Sequence, residues 1–176
     1  MNPTYYRTAL QWPEVTENDL RHLGLFGSEH LVRKGTNIQE VHGALLGPKL
    51  LLTGTVQTWM AFGELTLPLE TLKPGAWVGC ECALAQMPSV ITACAMEDVR
   101  FLALTSEGTA RLRASTTLLA MRLNQQMVRS LQRTMAQIVP KYEVLAAIRS
   151  TNHRPTAKDL ADIGLGRLSL QVNPAV

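Results

Sequence analysis

The sequence is short of the features that most often announce a function. It has no run of about 18 uncharged apolar residues, so no stretch reads as a membrane-spanning helix. Its first residues, MNPTYYRTALQWPEV, lack a basic segment followed by an apolar one, and secretion is not expected. Cysteine is scarce. Cys80, Cys82 and Cys94 are an odd number close together, which does not resemble a disulfide framework and fits a reducing cytoplasm. There is no GxSxG, HExxH or phosphate-binding loop, and no Ser/His/Asp or Cys/His set can be assembled by spacing. An enzyme is not expected. His22, His30, His42 and His153 are scattered singles without zinc spacing, so neither a metal nor another cofactor is assigned.

What is present suits one main domain with a small appendage: 176 residues, 46% of them apolar, enough to bury a core. The formal charge of +3 hides an asymmetry. Residues 1–110 carry seven basic and eleven acidic side chains, net −4, whereas residues 111–176 carry ten and three, net +7. A basic end suits a polyanion such as DNA, because neutralised phosphates release counterions; a solvated helix face is the plainer reading of the same charges.

Residues 1–15 show no clear period and read as an extended arm. Thr16 stands three before Asp19, with Leu20, Leu23 and Leu25 following, which predicts a short capped helix ending near Gly24 or Gly27. From about residue 30 to 104, short apolar segments alternate with turn signals at Gly35, Gly43, Gly47-Pro48, Gly54, Gly63, Pro68, Pro74-Gly75 and Pro88. Many short strands with regular turns predict a β-sandwich, barrel or jelly roll. Trp59, Trp77, Met60, Met87 and Met96 fall in these strands as core or pocket wall. A cupin-type metalloenzyme shares this texture, but the strand region supplies only His30 and His42 where such a site brings several histidines and an acid together.

Residues 106–138 contain no proline and one glycine and are rich in Leu, Met, Arg and Gln, which predicts one long helix. Met121, Val128, Leu131, Met135 and Ile138 repeat at spacings of seven, three, four and three, and Asn124 fills the vacant seam position. That is the pattern of a parallel homodimer seam, with Asn124 as a register residue; the alternative is a helix lying wholly on its own β-domain. Pro140 is expected to close this helix, Tyr142 to begin another, and Thr156 with Asp159 to cap a last short one ending at Gly164.

The order of elements resembles the cyclic-nucleotide-binding superfamily, the Crp/Fnr type of bacterial regulator. Residues 30–38 (HLVRKGTNI) look like its opening strand, and 50–56 (LLLTGTV) like its "LIxSGxV" strand and turn. Residues 72–84 (LKPGAWVGCECAL) are similar to "LxPGDxFGExAL", and 95–104 (AMEDVRFLAL) to "AxEDxxLLxL". The resemblance spans roughly residues 20–140. It implies an α+β, mainly β fold: a double-stranded β-helix or jelly-roll sensor (1–105), a long dimerisation helix (106–139) and a short helical C-terminal tail (140–176). It also implies a ligand pocket at Gly79, Cys80, Glu81, Cys82, Ala83 and Ser89.

Two departures shape the functional expectation. In nucleotide-binding members a Gly-Glu pair holds the ribose and an Arg downstream pairs with the cyclic phosphate. Here Gly79 matches, the Glu is displaced to Glu81 or replaced by Cys80, and the Arg position falls at Pro88 or Ser89. No Lys or Arg lies between Lys73 and Arg100. A buried anion needs a charge-assisted donor, so cyclic AMP or GMP in the usual mode is not expected. The second departure is in the tail. Thr156, Leu160, Ala161 and Gly164 look like the first helix of a helix-turn-helix, but only LGRLSLQVNPAV follows, too little for a full recognition helix. Arg149, Arg154, Lys158 and Arg167 are the candidates for DNA contact.

Three points stay open on the sequence. Glu81 faces either the pocket or solvent. Cys80 and Cys82, if on a strand, share one side and Cys94 can face them; small buried thiols are the plainer reading than a haem or metal set. The expected function is a cytoplasmic, dimeric transcription-regulatory sensor with an unidentified small-molecule effector, or else a module without DNA activity that acts through protein–protein contact.

Overall fold

A computed structural model of the chain describes residues 3–11, 16–40, 47–62, 65–85 and 88–150. The chain divides into two compact units, Met1–Thr134 and Met135–Val176. The first unit opens with helices α1 (Pro3–Leu10) and α2 (Glu17–His22) and a 3-10 turn at Leu23–Leu25. Strands β1 (Gly27–Val32), β2 (Asn37–Gln39), β3 (Lys49–Thr53), β4 (Val56–Phe62), β5 (Leu65–Leu72) and β6 (Trp77–Val78) follow. Helix α3 (Cys80–Ala85) then leads to β7 (Ile91–Ala95), β8 (Val99–Leu104) and α4 (Ser106–Ala114). Helix α5 (Leu118–Ser150) begins in this unit.

The strands form two four-stranded antiparallel sheets, in the orders β1-β8-β3-β6 and β2-β7-β4-β5. The jelly-roll expectation holds. Pro68, which cannot donate to a ladder, sits on β5 at the edge of the second sheet, where that loss is tolerated. Gly54 turns β3 into β4 at φ +81°, and a Cβ there would lie 2.6 Å from the Asp98 carbonyl oxygen, so the turn requires glycine.

Two apolar cores result from strand alternation. Ile38, Leu51, Val56, Leu72, Val78, Ala93, Ala95, Val99 and Phe101 come from both sheets and fill the space between them. Leu50, Leu52, Trp77, Leu102 and Leu104 point the other way, into a layer made with Tyr6, Leu10, Leu23, Leu112, Leu119, Leu123 and Met127 from the helices. Each fully buried Leu contributes about 1.5–3 kcal/mol relative to exposure.

Residues 3–10 form a helix, not an extended arm: Pro3 suits the first helical turn, and Tyr6, Ala9 and Leu10, at spacings of three and four, are buried in the outer layer. The Tyr6 hydroxyl donates to Glu29 at 2.8 Å, and Arg100 meets the same carboxylate at 3.4 Å while stacking over Tyr5. Burial, reinforced by Glu29, pushes the Tyr6 phenol up.

The region predicted as one helix from 106 is two. Thr105 caps α4 by accepting from the Gly108 N–H at 2.8 Å, and the helix ends where Ser115 turns extended at ψ 136°. Ser115, Thr116 and Thr117 favour caps over helix interiors, and the Thr117 hydroxyl accepts from the Ala120 N–H at the start of α5. In the second unit Pro140 does not end α5, which continues to Ser150. One backbone hydrogen bond is forfeited there, and strong helix formers such as Ala136, Gln137 and Lys141 flank it.

Candidate functional site

Strand β3 reads as an apolar run, but it starts with Lys49, which alternation places on the same side as Leu51, between the sheets. Lys49 is only 4% exposed. Beside it lie Gln39 at the end of β2, Glu81 and Cys82 on α3, and Ser89 ahead of β7, all buried. The Gln39 amide donates to Glu81 Oε1 at 2.7 Å and to Ser89 Oγ at 2.6 Å, with Cys82 Sγ at 3.5 Å. The Lys49 ammonium donates to Gln39 Oε1 at 3.5 Å and the Gly47 carbonyl at 3.4 Å, both long. The Ser89 hydroxyl has the Ile91 carbonyl at 2.8 Å and Glu81 at 3.2 Å as acceptors. Among the described residues, no buried side-chain nitrogen or oxygen lacks a partner.

The electrostatics follow from burial. Burial pushes the Lys49 ammonium below its usual value, with Cys82, Glu81 and Cys80 acting in the opposite direction. Burial likewise pushes up the thiols of Cys80 and Cys82, reinforced by Glu81 in both cases, so neither is primed as a nucleophile.

Gly79 adopts φ +79°, and a Cβ there would lie 2.4 Å from Gln39 Oε1. The turn into α3 therefore favours glycine through its positive φ, and a Cβ would also push the Gln39 side chain aside. Of the residues expected at the pocket, Gly79, Glu81, Cys82 and Ser89 converge; Ala83 is half-buried in α3; Cys80 does not join them. Cys80 and Cys82 sit on a helix, not a strand, and two helical positions point about 200° apart, so Cys80 packs into the outer layer instead. Cys94 is on β7, donating to the Ala95 carbonyl at 3.7 Å. His30 stacks on Phe101 with centroids 5.5 Å apart, and its ring nitrogen lies 2.9 Å from Ser28 Oγ. Trp77 is buried, donating to Gln126 at 3.3 Å; Trp59 is half-buried, Met60 is buried, and Met96 lies exposed just past β7.

The inference that no cation reaches this pocket needs correction. The stretch from Lys73 to Arg100 is indeed free of Lys and Arg, yet the fold delivers Lys49 from a strand far upstream. Gln39 and Lys49 were both missed; the signal that could have found Lys49 is its two-residue offset from Leu51.

Along α5, Leu119, Ala120, Leu123 and Met127 face the outer layer, with Leu131 packed partly against it. Leu118, Met121 and Val128 are 52%, 53% and 46% exposed. Asn124 does not stand free on that exposed face: its side chain donates to the Leu112 carbonyl at 3.2 Å and closes the end of α4. Met135 is half-buried and Ile138 buried in the second unit. The side chain of Arg149 and all of Arg154, Lys158 and Arg167 lie outside the described residues. Met87 and His42 lie outside them as well. No helix among the described residues is long and apolar enough to cross a membrane.

No protein-family model matches the sequence, and no curated protein matches it. Solved structures do. A cyclic nucleotide-binding domain from Methylobacillus flagellatus is similar at TM-score 0.62 and 18% identity, over 79% of this chain and 85% of that one. Thermus thermophilus catabolite activator protein is similar at TM-score 0.60 and 20% identity, over 90% and 81%. The sensor domain of the transcriptional regulator DNR from Pseudomonas aeruginosa gives 0.56 and 16%, over 77% and 91%. The chain therefore has the fold of cyclic nucleotide-binding domains.

Proposed function

We propose that this chain is a dimeric transcription-regulatory sensor of the Crp/Fnr type, a regulator and not a catalyst, whose β-domain does not take cyclic nucleotide in the usual mode. The observation that carries the reading is Gln39. Its amide meets both Glu81 and Ser89, so the polar groups of the pocket are satisfied by the protein's own side chain. A ligand would have to displace it and replace two short hydrogen bonds. Lys49 supplies a charge, but as a buried point charge held by Gln39 it lacks the fork of a guanidinium that grips a phosphate bidentately.

The half-exposed stripe of Leu118, Met121 and Val128 supports pairing of two α5 helices, and the +7 charge of residues 111–176 supports a contact to DNA through the tail. A reducing cytoplasm suits three unpaired thiols. The solved structures named as an activator and as a transcriptional regulator's sensor domain are consistent with this role.

Calorimetry with cyclic AMP and cyclic GMP should give no saturable binding up to about 1 mM; micromolar affinity for either sinks the pocket argument. Light scattering should report a dimer that Met121→Glu with Val128→Glu converts to monomer. Mobility shift on duplex DNA across a salt series should show binding that falls steeply with salt. Absence of any shift at low salt would favour regulation by protein contact alone.

A further inference from the structure

Outside the β-domain's interior, the first unit carries a groove of about 440 Å³ between the β5–β6 turn and α5. Lys73 from the turn and Arg129 and Arg133 from α5 line it, together with Glu70, Gln126 and Ser130. We propose that this groove binds a small phosphorylated anion, with the two guanidinium groups on one wall and the Lys73 ammonium on the other.

The charges there are unneutralised. Two other helical arginines are paired with an acid four residues earlier, Arg21 with Glu17 and Arg111 with Glu107. Residues 118–142 contain no Asp or Glu at all. Arg129 and Arg133 stand one turn apart on the same face of α5, an arrangement that costs an isolated helix a few tenths of a kcal/mol. Among the described residues, neither they nor Lys73 nor Glu70 takes part in an ion pair. Three cations against one carboxylate leave an excess that matches a phosphate dianion, and guanidinium forks are suited to its oxygens.

The wall is also held in place. The Trp77 indole N–H donates to Gln126 at 3.3 Å, and the Ser130 hydroxyl donates to the Trp77 carbonyl at 3.1 Å, tying α5 to β6 beneath the groove. Trp77 itself is 3% exposed, so no ring is offered for a base to stack on. Charge, not an aromatic face, is what the groove selects. A ligand spanning it would bridge the β5–β6 turn and α5, which gives it a handle on the helix proposed to pair.

The test is calorimetry on the full chain with inorganic pyrophosphate at fixed moderate salt. One saturable site per chain with a Kd of about 0.1 mM is expected. Arg129→Gln and Arg133→Gln should each weaken it about tenfold, and Lys73→Gln about threefold, whereas Glu70→Gln should tighten it. Arg113→Gln on α4 should leave it unchanged. No saturable heat, or an equal loss from Arg113→Gln, overturns the site. ATP binding about a hundredfold more tightly than pyrophosphate would overturn the charge-only recognition.

Discussion

Strand β3 separates two interiors that differ in kind. On its outer side Leu50 and Leu52 enter a layer of hydrocarbon closed by helices, with Leu102, Leu123 and Met127 sealed from solvent. On its inner side Leu51 joins an equally apolar core, but one residue pair further along the same face is Lys49, and that end of the interior is polar. The outer layer is held mainly by packing, with hydrogen bonds from Tyr6 and Trp77 at its margin. The inner end is held by a chain of hydrogen bonds that runs from Lys49 through Gln39 to Glu81 and Ser89. A volume that apolar side chains could have filled is kept for polar groups.

Substitutions on the two sides should therefore fail differently. The largest loss is expected from Leu123→Ala in the outer layer, about 3–4 kcal/mol by denaturant unfolding, since it deletes a fully buried side chain and leaves a cavity. A loss under 1 kcal/mol would mean the helix layer is not packed as described. Gln39→Ala should cost about 2 kcal/mol, because Glu81 and Ser89 each lose their shortest hydrogen bond from a donor while remaining buried. If it cost nothing, the hydrogen-bonded chain would not be the element that holds the inner end.

Lys49→Met sharpens the contrast most finely. Replacing a buried ammonium by hydrocarbon of similar length should raise stability by about 1 kcal/mol at neutral pH. The sign of the pH effect follows from the direction of the shift. The folded-state value lies below the ordinary 10.5, so the unfolded chain holds the proton more tightly. The penalty is full below the folded value and fades as pH rises toward 10.5, so stability rises with pH across that window. The advantage of Lys49→Met should therefore shrink in alkaline solution; an advantage that grows with pH would show the ammonium is favoured by its surroundings.

The strand-rich architecture was legible because its turns need particular residues: Gly54 and Gly79 occupy positive φ at the positions that their flanking motifs marked. The core-facing side of α5 was only half legible. A heptad places Asn124 and Leu131 on a seam, but Leu112 offers Asn124 a carbonyl, and the outer layer takes Leu131. Neither competitor can be seen from periodicity. Ser115, Thr116 and Thr117 did carry a signal for the break between α4 and α5, outweighed by the helix formers on either side. Lys49 was hidden for a different reason. A strand buried on both faces reads as an unbroken apolar run, and a charge at its first residue looks like a flank. That it meets Gln39 depends on the packing of distant strands, which no local pattern encodes.

The placement of the three thiols also makes the chain its own reporter of opening. Cys94 is half-exposed, Cys80 is sealed in the helix-covered layer and Cys82 in the polar interior, back to back on one short helix. An alkylating reagent should mark Cys94 first, reach Cys80 only when the helices lift, and reach Cys82 only when the sheets part. The order of labelling would then give a clock for each compartment separately, without any probe having to be engineered in.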